Sequence, residues 1–174
     1  MKIRPLEPRD RPGLQAFLRR IPEGDKTFFK EPIDDEAHVA SWFEPAGTRW
    51  LAVAGDEVLG YVAVVALHGW SSHVGEIRLI VDPAHRGEGV GSALAKHAIV
   101  AAFQGGLSKL VVEVLANQEF TIGMFRALGF DPEALLTGQV RDRDGRLQDL
   151  MILAHTADEA LAGLTAAGLA DALN

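Results

Sequence analysis

The feature that most constrains this chain is the glycine-rich stretch at residues 85–92, His-Arg-Gly-Glu-Gly-Val-Gly-Ser. An apolar segment, residues 74–81, precedes it and is closed by Asp82-Pro83, and residues 93–103 have a helical composition. The sequence therefore predicts a strand, a glycine loop and a helix, in that order. Backbone N–H groups and the positive end of a helix dipole meet at such a junction, which makes it a binding site for phosphate.

Hydrophobic periodicity and turn residues predict the remaining elements. Helices are predicted over residues 10–20, from Asp34 or Asp35 to Phe43, and over 89–104, 117–128 and 157–173. Strands are predicted over 2–6, 49–54, 58–67, 74–81, 107–115, 140–141 and 147–153. Antiparallel strands thus come first, a parallel strand–helix–strand crossover follows, and a hairpin closes the pattern. The expected fold class is α/β with a mixed sheet (α+β), in a single domain over residues 1–174.

Composition argues against several kinds of partner. The net charge of −7 makes nucleic acid an unexpected ligand, because nucleic-acid binding depends on clustered Lys and Arg. Cys is absent, and Asp142 and Asp144 lack the later ligands of a calcium loop, so no metal is expected. No apolar run could span a membrane and the N-terminus lacks a signal-peptide core, so a cytoplasmic protein without membrane contact is expected.

Two blocks of the sequence resemble the GCN5-related N-acetyltransferase (GNAT) family. The family's acyl-coenzyme A loop reads Gln/Arg-x-x-Gly-x-Gly/Ala, and Arg86-Gly87-Glu88-Gly89-Val90-Gly91 fits it. The family's next block is a strand, an Asn, a helix and a closing Gly-Phe, which residues 111–115, Asn117 and Gly129-Phe130 match. Dinucleotide loops and kinase-type phosphate loops have different patterns. The resemblance implies a strongly twisted mixed sheet with a splayed pair of parallel central strands, flanked by helices.

The resemblance also implies a site for acetyl-coenzyme A (acetyl-CoA) as co-substrate. Its pyrophosphate would be held by the loop and the start of the helix, at Arg86, Gly87, Glu88, Gly89, Val90, Gly91 and Ser92. Its pantetheine arm would lie between the splayed strands and pair with the main chain of Leu79, Ile80 and Val81. Asn117 would face the pantetheine or the leaving sulfur; the alternative is that it caps the following helix.

Glu76 is the candidate catalytic base, because several family members place a glutamate in the strand before the loop. A carboxylate on a largely buried strand needs a reason. Either it accepts the proton of an amine, directly or through water, or it has a structural role, paired with Arg78 or in a network with Arg78 and Glu113. A tight ion pair would weaken it as a base. The family's usual tyrosine acid, four residues before the Gly of Gly-Phe, is replaced by Phe125, which has no proton to donate. His73 is a further candidate acid or base, and a plain loop histidine is the alternative.

Two functions follow, and they differ in whether turnover occurs. The first is an N-acetyltransferase that moves an acetyl group from acetyl-CoA to a primary amine by direct attack in a ternary complex. The amine would belong to a small molecule, an amino acid or a protein. The alternative is a non-catalytic acyl-CoA sensor, which the missing tyrosine favours. The acceptor site is expected among Phe28, Phe29, Trp42, residues 70–73 and the hairpin at 140–147.

The sequence also predicts an acidic surface and a C-terminal helix. The acid-rich set Glu31, Asp34, Asp35 and Glu36 is interpreted as a solvated face that includes a helix cap. An extra C-terminal helix, within residues 155–174, lies outside the family's common pattern. Two placements are open for it: against the body of the protein, or against a second subunit in a homodimer.

Overall fold

The computed structural model describes residues 1–26, 29–43 and 48–158 of the 174-residue chain. Over these ranges the helices are α1 (Arg11–Arg20), α2 (Glu23–Lys26), α3 (Glu36–Ala40), α4 (Val90–Gln104) and α5 (Glu119–Ala127). The strands are β1 (Lys2–Pro5), β2 (Arg49–Ala54), β3 (Glu57–Ala66), β4 (Val74–Val81), β5 (Lys109–Leu115), β6 (Asp131–Arg141) and β7 (Leu147–Thr156).

The strands form one mixed sheet in the order β1-β2-β3-β4-β5-β7-β6. Neighbouring strands are antiparallel except β4 and β5, which are parallel and are connected through α4. Both of these strands are described in full, and their ladder extends only from Val74 opposite Lys109 to Glu76 opposite Val111. Beyond Glu76 they no longer pair, so the expected splayed pair of parallel central strands is confirmed.

Apolar residues cover both faces of the sheet, because side chains alternate along each strand. One face packs against α4, whose Leu94 and Ala98 are fully buried. The other face packs against α1 and the turn at Ser41–Phe43. At Gly60 of β3, a Cβ would lie 2.9 Å from Leu94 Cδ1 and 3.0 Å from the carbonyl oxygen of Ile80. This close approach fixes the start of α4, and with it the glycine loop, against the sheet.

Most predicted elements are confirmed in type and position. α4 ends at Gln104, and Asp35 caps α3 by accepting hydrogen bonds from the N–H groups of Ala37 and His38. The sequence predicts a strand only over 140–141, whereas the observed strand β6 is much longer and extends from Asp131 to Arg141. It lies at the sheet edge and alternates between exposed and half-buried residues, so it lacks the apolar run of an inner strand. β7 continues to Thr156, so residues 155 and 156 belong to the sheet; of the extra helix, residues 159–174 lie outside the described ranges.

Gly123 lies in the interior of α5, and we expect Gly123→Ala to stabilise the fold. Apart from its chain neighbours and the adjacent helix backbone, a Cβ there would have no heavy atom within 4 Å, and the backbone does not adopt positive φ. The free energy of unfolding, measured by urea denaturation, should rise by about 0.5–1 kcal/mol, because alanine loses less backbone entropy on folding. Gly60→Ala is the control, since its methyl group would collide with Leu94. Equal destabilisation by both changes would contradict the prediction.

Candidate active site

The unpaired ends of β4 and β5 border a cavity of about 660 Å³. The glycine loop and the first turn of α4 line one part of it, and residues of α5 and β6 line others. Main-chain segments that are far apart in the sequence therefore meet around one space. The cavity joins a loop suited to phosphate with the strand that carries Glu76.

Two glycines with left-handed backbone shape the loop. φ is +80° at Gly87 and +84° at Gly89, a region that residues with a Cβ enter only with strain. Gly89 directly precedes α4, and both Gly91 and Ser92 of the first turn line the cavity. The first N–H groups of a helix have no intrahelical acceptor, and the helix dipole is positive there. This wall of the cavity is consequently suited to an anionic group.

Asp82 anchors the segment that leads into the loop. Its carboxylate accepts hydrogen bonds from the N–H of Ala84 at 3.0 Å and from Arg20 Nε at 2.6 Å. Burial favours the protonated acid, but these donors outweigh it and hold the pKa of Asp82 below its usual value. The segment is therefore held by an ionised, buried aspartate.

Charged side chains flank the loop. Arg86 Nη2 lies 2.5 Å from Asp25 Oδ2, and both residues line the cavity, so α2 contacts the loop. His85 Nδ1 lies 3.0 Å from Glu88 Oε2, and this hydrogen bond raises the pKa of His85. Glu88 does not line the cavity, and Val90 is buried in the core. The side chains of these last two residues therefore do not form part of the cavity wall.

Glu76 lines another part of the cavity, within a cluster of alternating charges. Only 6% of its surface is exposed. Its Oε1 lies 3.2 Å from Arg78 Nε and 3.1 Å from Lys30 Nζ. Lys30 Nζ also lies 2.8 Å from Glu113 Oε1 on the neighbouring strand β5. The expected association of Glu76, Arg78 and Glu113 is therefore present, and Lys30 joins the two carboxylates.

The interpretation of Glu31 as part of a solvated acidic face is wrong. Glu31 is 8% exposed, and its Oε1 lies 3.1 Å from Arg49 Nη2 and 3.2 Å from Arg78 Nη1. The Glu31 carboxylate is buried because it is the counter-ion of these two largely buried guanidinium groups, and buried charges are stable only when they are paired. Arg49 also donates a hydrogen bond to the hydroxyl of Tyr61. Burial raises the pKa of Tyr61, which does not line the cavity, so the chain's single tyrosine is not placed to supply a proton there.

Leu79, Ile80 and Val81 line the cavity, as the expected position of the pantetheine arm requires. Asn117 does not line it: its side chain is exposed, with Nδ2 3.4 Å from Gln148 Oε1. The alternative role of Asn117 as a helix cap is not observed, because the N-cap position of α5 belongs to Gln118. Gln118, which the sequence reasoning missed, lines the cavity instead.

The residues expected around the acceptor divide into two groups. Phe29 and Val140 line the cavity, whereas Trp42, Trp70 and His73 do not. Trp42 is buried and stacks on Tyr61 at a centroid distance of 4.8 Å, while Trp70 is 96% exposed in the loop before β4. Trp42 is therefore a core residue and its assignment to the acceptor site is wrong, whereas the assignment of Trp70 and His73 stays a prediction. Phe28 lies outside the described residues.

Phe125 lines the cavity at the position where the resemblance implies a tyrosine. Its side chain is almost fully buried, and its ring meets that of Phe130 edge-on, with centroids 5.2 Å apart. Phe125 thus supplies an apolar wall and no proton donor.

The described part of the chain contains no group of three or more His, Asp or Glu side chains arranged to hold a metal ion. Within it, none of the helices has the length and apolar composition needed to cross a membrane.

Comparison with known proteins finds relatives over most of the chain. The family model described as Acetyltransferase (GNAT) family matches residues 15–130. YwnH of Bacillus subtilis, provisionally named a phosphinothricin acetyltransferase, is 29% identical over 160 residues, which cover 88% of this chain and 97% of that protein. An L-methionine sulfoximine/L-methionine sulfone acetyltransferase of Pseudomonas aeruginosa is 27% identical over 86% of this chain and 90% of its own. A ribosomal-protein-alanine N-acetyltransferase structure from Brucella melitensis shares the fold, with a TM-score of 0.77 at 21% identity over 90% of this chain and 99% of that one.

Proposed function

This chain belongs to the acetyltransferase (GNAT) family and is an acyltransferase, and on that premise we propose that it transfers the acetyl group of acetyl-CoA to the amine of a small, amino-acid-type acceptor. The observation that carries the proposal is the cavity between β4 and β5. It brings a left-handed glycine loop and a buried carboxylate, Glu76, to one space. Donor binding and proton acceptance can therefore occur side by side.

The donor half of the site is the glycine loop with the adjoining end of β4. The N–H groups at Gly87, Gly89 and Gly91 would hold the pyrophosphate, and the α4 dipole would favour its charge. A Cβ at Gly87 or Gly89 would meet no protein atom within 4 Å, so the space beside these residues is open to a ligand. The β4 main chain at residues 79–81 is not paired with β5 and would be available to the pantetheine arm.

The chemical half of the site centres on Glu76. An acceptor amine carries a proton at neutral pH, and it becomes a nucleophile only when that proton is removed. Glu76 would accept the proton, and the neutral amine would attack the thioester directly in a ternary complex. Phe125 cannot donate a proton to the departing thiolate. The thiolate would therefore be protonated by water or by the proton that the amine releases.

Charges in the cavity support an acceptor with both an ammonium and a carboxylate group. Glu76 and Glu113 would attract the ammonium, and Arg78 and Arg141, which also line the cavity, would attract the carboxylate. Amino-acid acceptors are named for YwnH and for the Pseudomonas aeruginosa relative. We therefore rank free amino-acid analogues above peptides as acceptors.

Release of coenzyme A thiol tests this proposal. Purified protein is mixed with acetyl-CoA and L-methionine sulfoximine, L-methionine sulfone or phosphinothricin, each paired with an analogue whose carboxylate is amidated. A peptide with an N-terminal alanine represents protein acceptors. We expect turnover with the free amino acids and a loss of about ten-fold or more on amidation. Acetyl-CoA binding without thiol release from any acceptor would favour the sensor, and release with the peptide alone would refute the acceptor class.

Removing Asp25 should strengthen acetyl-CoA binding. Its carboxylate forms an ion pair with the Arg86 guanidinium and places a negative charge beside the proposed phosphate site. Asp25→Asn frees Arg86 and removes that repulsion, so the Kd measured by isothermal titration calorimetry should fall about two- to five-fold, the range expected for a partly exposed ion pair.

Salt and a matched variant check this explanation. The increase in acetyl-CoA affinity of Asp25→Asn should be smaller at 0.5 M NaCl, since added salt screens exposed charges. Glu23→Gln is the control, because Glu23 also belongs to α2 and pairs with Lys26 and Arg143 but does not line the cavity. An unchanged or higher Kd in Asp25→Asn would show that Arg86 does not contact the phosphates.

A further inference from the structure

The Lys30 ammonium lies between two carboxylates inside the proposed active site. Its Nζ is 3.1 Å from Glu76 Oε1 and 2.8 Å from Glu113 Oε1, and Lys30 itself lines the cavity. A general base must come within about 2.6–3.2 Å of the group that it deprotonates. Lys30 therefore holds a primary amine at the distance from Glu76 that an acceptor amine must reach.

The position of Lys30 distinguishes it from other lysines in the described residues. Lys109 also pairs with a carboxylate, Glu133, at 2.6 Å, but it does not line the cavity. Lys96 is exposed on the surface of α4 and likewise lies outside the cavity lining. Lys30, in contrast, places its amine at hydrogen-bonding distance from the buried carboxylate of Glu76, and it lines the same cavity as the glycine loop.

We propose that Lys30 is a self-acetylation site of this protein, an inference that rests on the proposed function. Glu76 takes one proton from the Lys30 ammonium, and the neutral Nζ attacks the thioester carbonyl carbon of acetyl-CoA. The N–C bond forms, the C–S bond breaks, and coenzyme A leaves as a thiolate. The nitrogen loses a second proton. Of the two protons released, one converts the thiolate into free thiol and the other passes to solvent.

Acetylation changes the charge of the site. The amide of acetyl-Lys30 is neutral, so Glu76 and Glu113 lose the cation that they share. The segment that carries Lys30 also loses its ion pairs to β4 and β5. Self-acetylation in the absence of an acceptor thus removes one positive charge from between Glu76 and Glu113, while Arg78 remains paired with Glu76. The cavity becomes more negative and attracts a cationic acceptor more strongly.

Peptide mass spectrometry tests the proposal on the full-length protein. The protein is incubated with acetyl-CoA without acceptor, sampled over time and digested with trypsin. Trypsin does not cleave after acetyl-lysine, so modification of Lys30 yields a single peptide, residues 27–49, heavier by one acetyl group. Lys109 and Lys96 report acylation outside the cavity, and Lys30→Arg, which keeps the charge, must abolish the new peptide. Turnover of the free amino acids is measured in parallel.

We expect Lys30 to be acetylated at least about ten times faster than Lys109 or Lys96, because it is held beside the base. The first-order rate constant should not depend on protein concentration, and Glu76→Gln should slow Lys30 alone. Acetylation of all three lysines at similar rates, or a Lys30 rate that Glu76→Gln leaves unchanged, would mean non-enzymatic acylation and would overturn the proposal. An unmodified Lys30 in a protein that acetylates a free amino acid overturns the self-acetylation and leaves the proposed function intact. An unmodified Lys30 without turnover of any acceptor overturns both.

Discussion

Glu76→Gln is expected to lower acceptor-dependent turnover by about 10²–10⁴-fold, the usual contribution of a positioned general base, and to leave the Kd for acetyl-CoA within about two-fold. Glutamine keeps the shape of the side chain but cannot accept a proton. The buried position of Glu76 and its 3.1 Å contact with the Lys30 amine place a proton acceptor where an acceptor amine would bind. Thiol release gives the turnover, and calorimetry gives the Kd.

The pH profile separates a base from a structural ion pair. As the pH approaches the pKa of the acceptor amine, more of the amine is already neutral and needs no base. The difference in turnover between the wild-type protein and Glu76→Gln should therefore become smaller. A purely structural loss would persist at every pH. Folding is checked by thermal unfolding, and the variant should remain folded because Arg78 keeps Glu31 and Lys30 keeps Glu113 as partners.

Glu113→Gln is the matched control for this experiment. Glu113 also lines the cavity and shares the Lys30 ammonium, but it extends from β5 and is less buried than Glu76. We expect a loss of only about two- to five-fold, consistent with a partly exposed charge that helps to attract the amine. A larger loss in Glu113→Gln than in Glu76→Gln would assign the base to Glu113 and refute the assignment to Glu76.

The donor half of the site could be predicted because its signals are local. The left-handed glycines at 87 and 89, the helix from Val90 and the apolar strand that ends at Val81 lie within a short segment, where turn chemistry and periodicity determine structure. The splay of β4 and β5 could be predicted only from the family resemblance, because the composition of neither strand indicates where their pairing ends.

The pairing of charges around the cavity could not be predicted in full, because it depends on contacts between distant segments. Lys30 meets Glu76 across 46 positions of sequence, and Asp25 meets Arg86 across 61. Lys30 lies in the connection between α2 and α3, and Asp25 lies in α2, which at 4 residues is too short to show a hydrophobic periodicity. Glu31 appeared solvated because three acidic residues follow it closely, yet Arg49 and Arg78 approach it from the sheet. An ion pair that forms only in the folded state gives no pattern in the sequence.

Gly89→Val is expected to weaken acetyl-CoA binding by about ten-fold or more, which corresponds to about 1.4 kcal/mol. Gly89 has a φ of +84°, where a residue with a Cβ is strained by about 1–2 kcal/mol and a β-branched one by more. Relief of that strain would turn the N–H groups at the start of α4 away from the phosphates. A Cβ at Gly89 would meet no protein atom within 4 Å, so the branched side chain would also enter the space proposed for the ligand.

Gly106→Val separates the effect of strain from the effect on the ligand. Gly106 follows α4 at its opposite end, has a φ of +92°, and offers an equally open space to a Cβ. Both variants should lower the midpoint of thermal unfolding, because both force a valine into the left-handed region. Only Gly89→Val should raise the Kd for acetyl-CoA, since Gly106 does not line the cavity. If both variants weaken binding equally, the loss comes from general destabilisation of α4, and the N–H groups around Gly89 do not form the phosphate site.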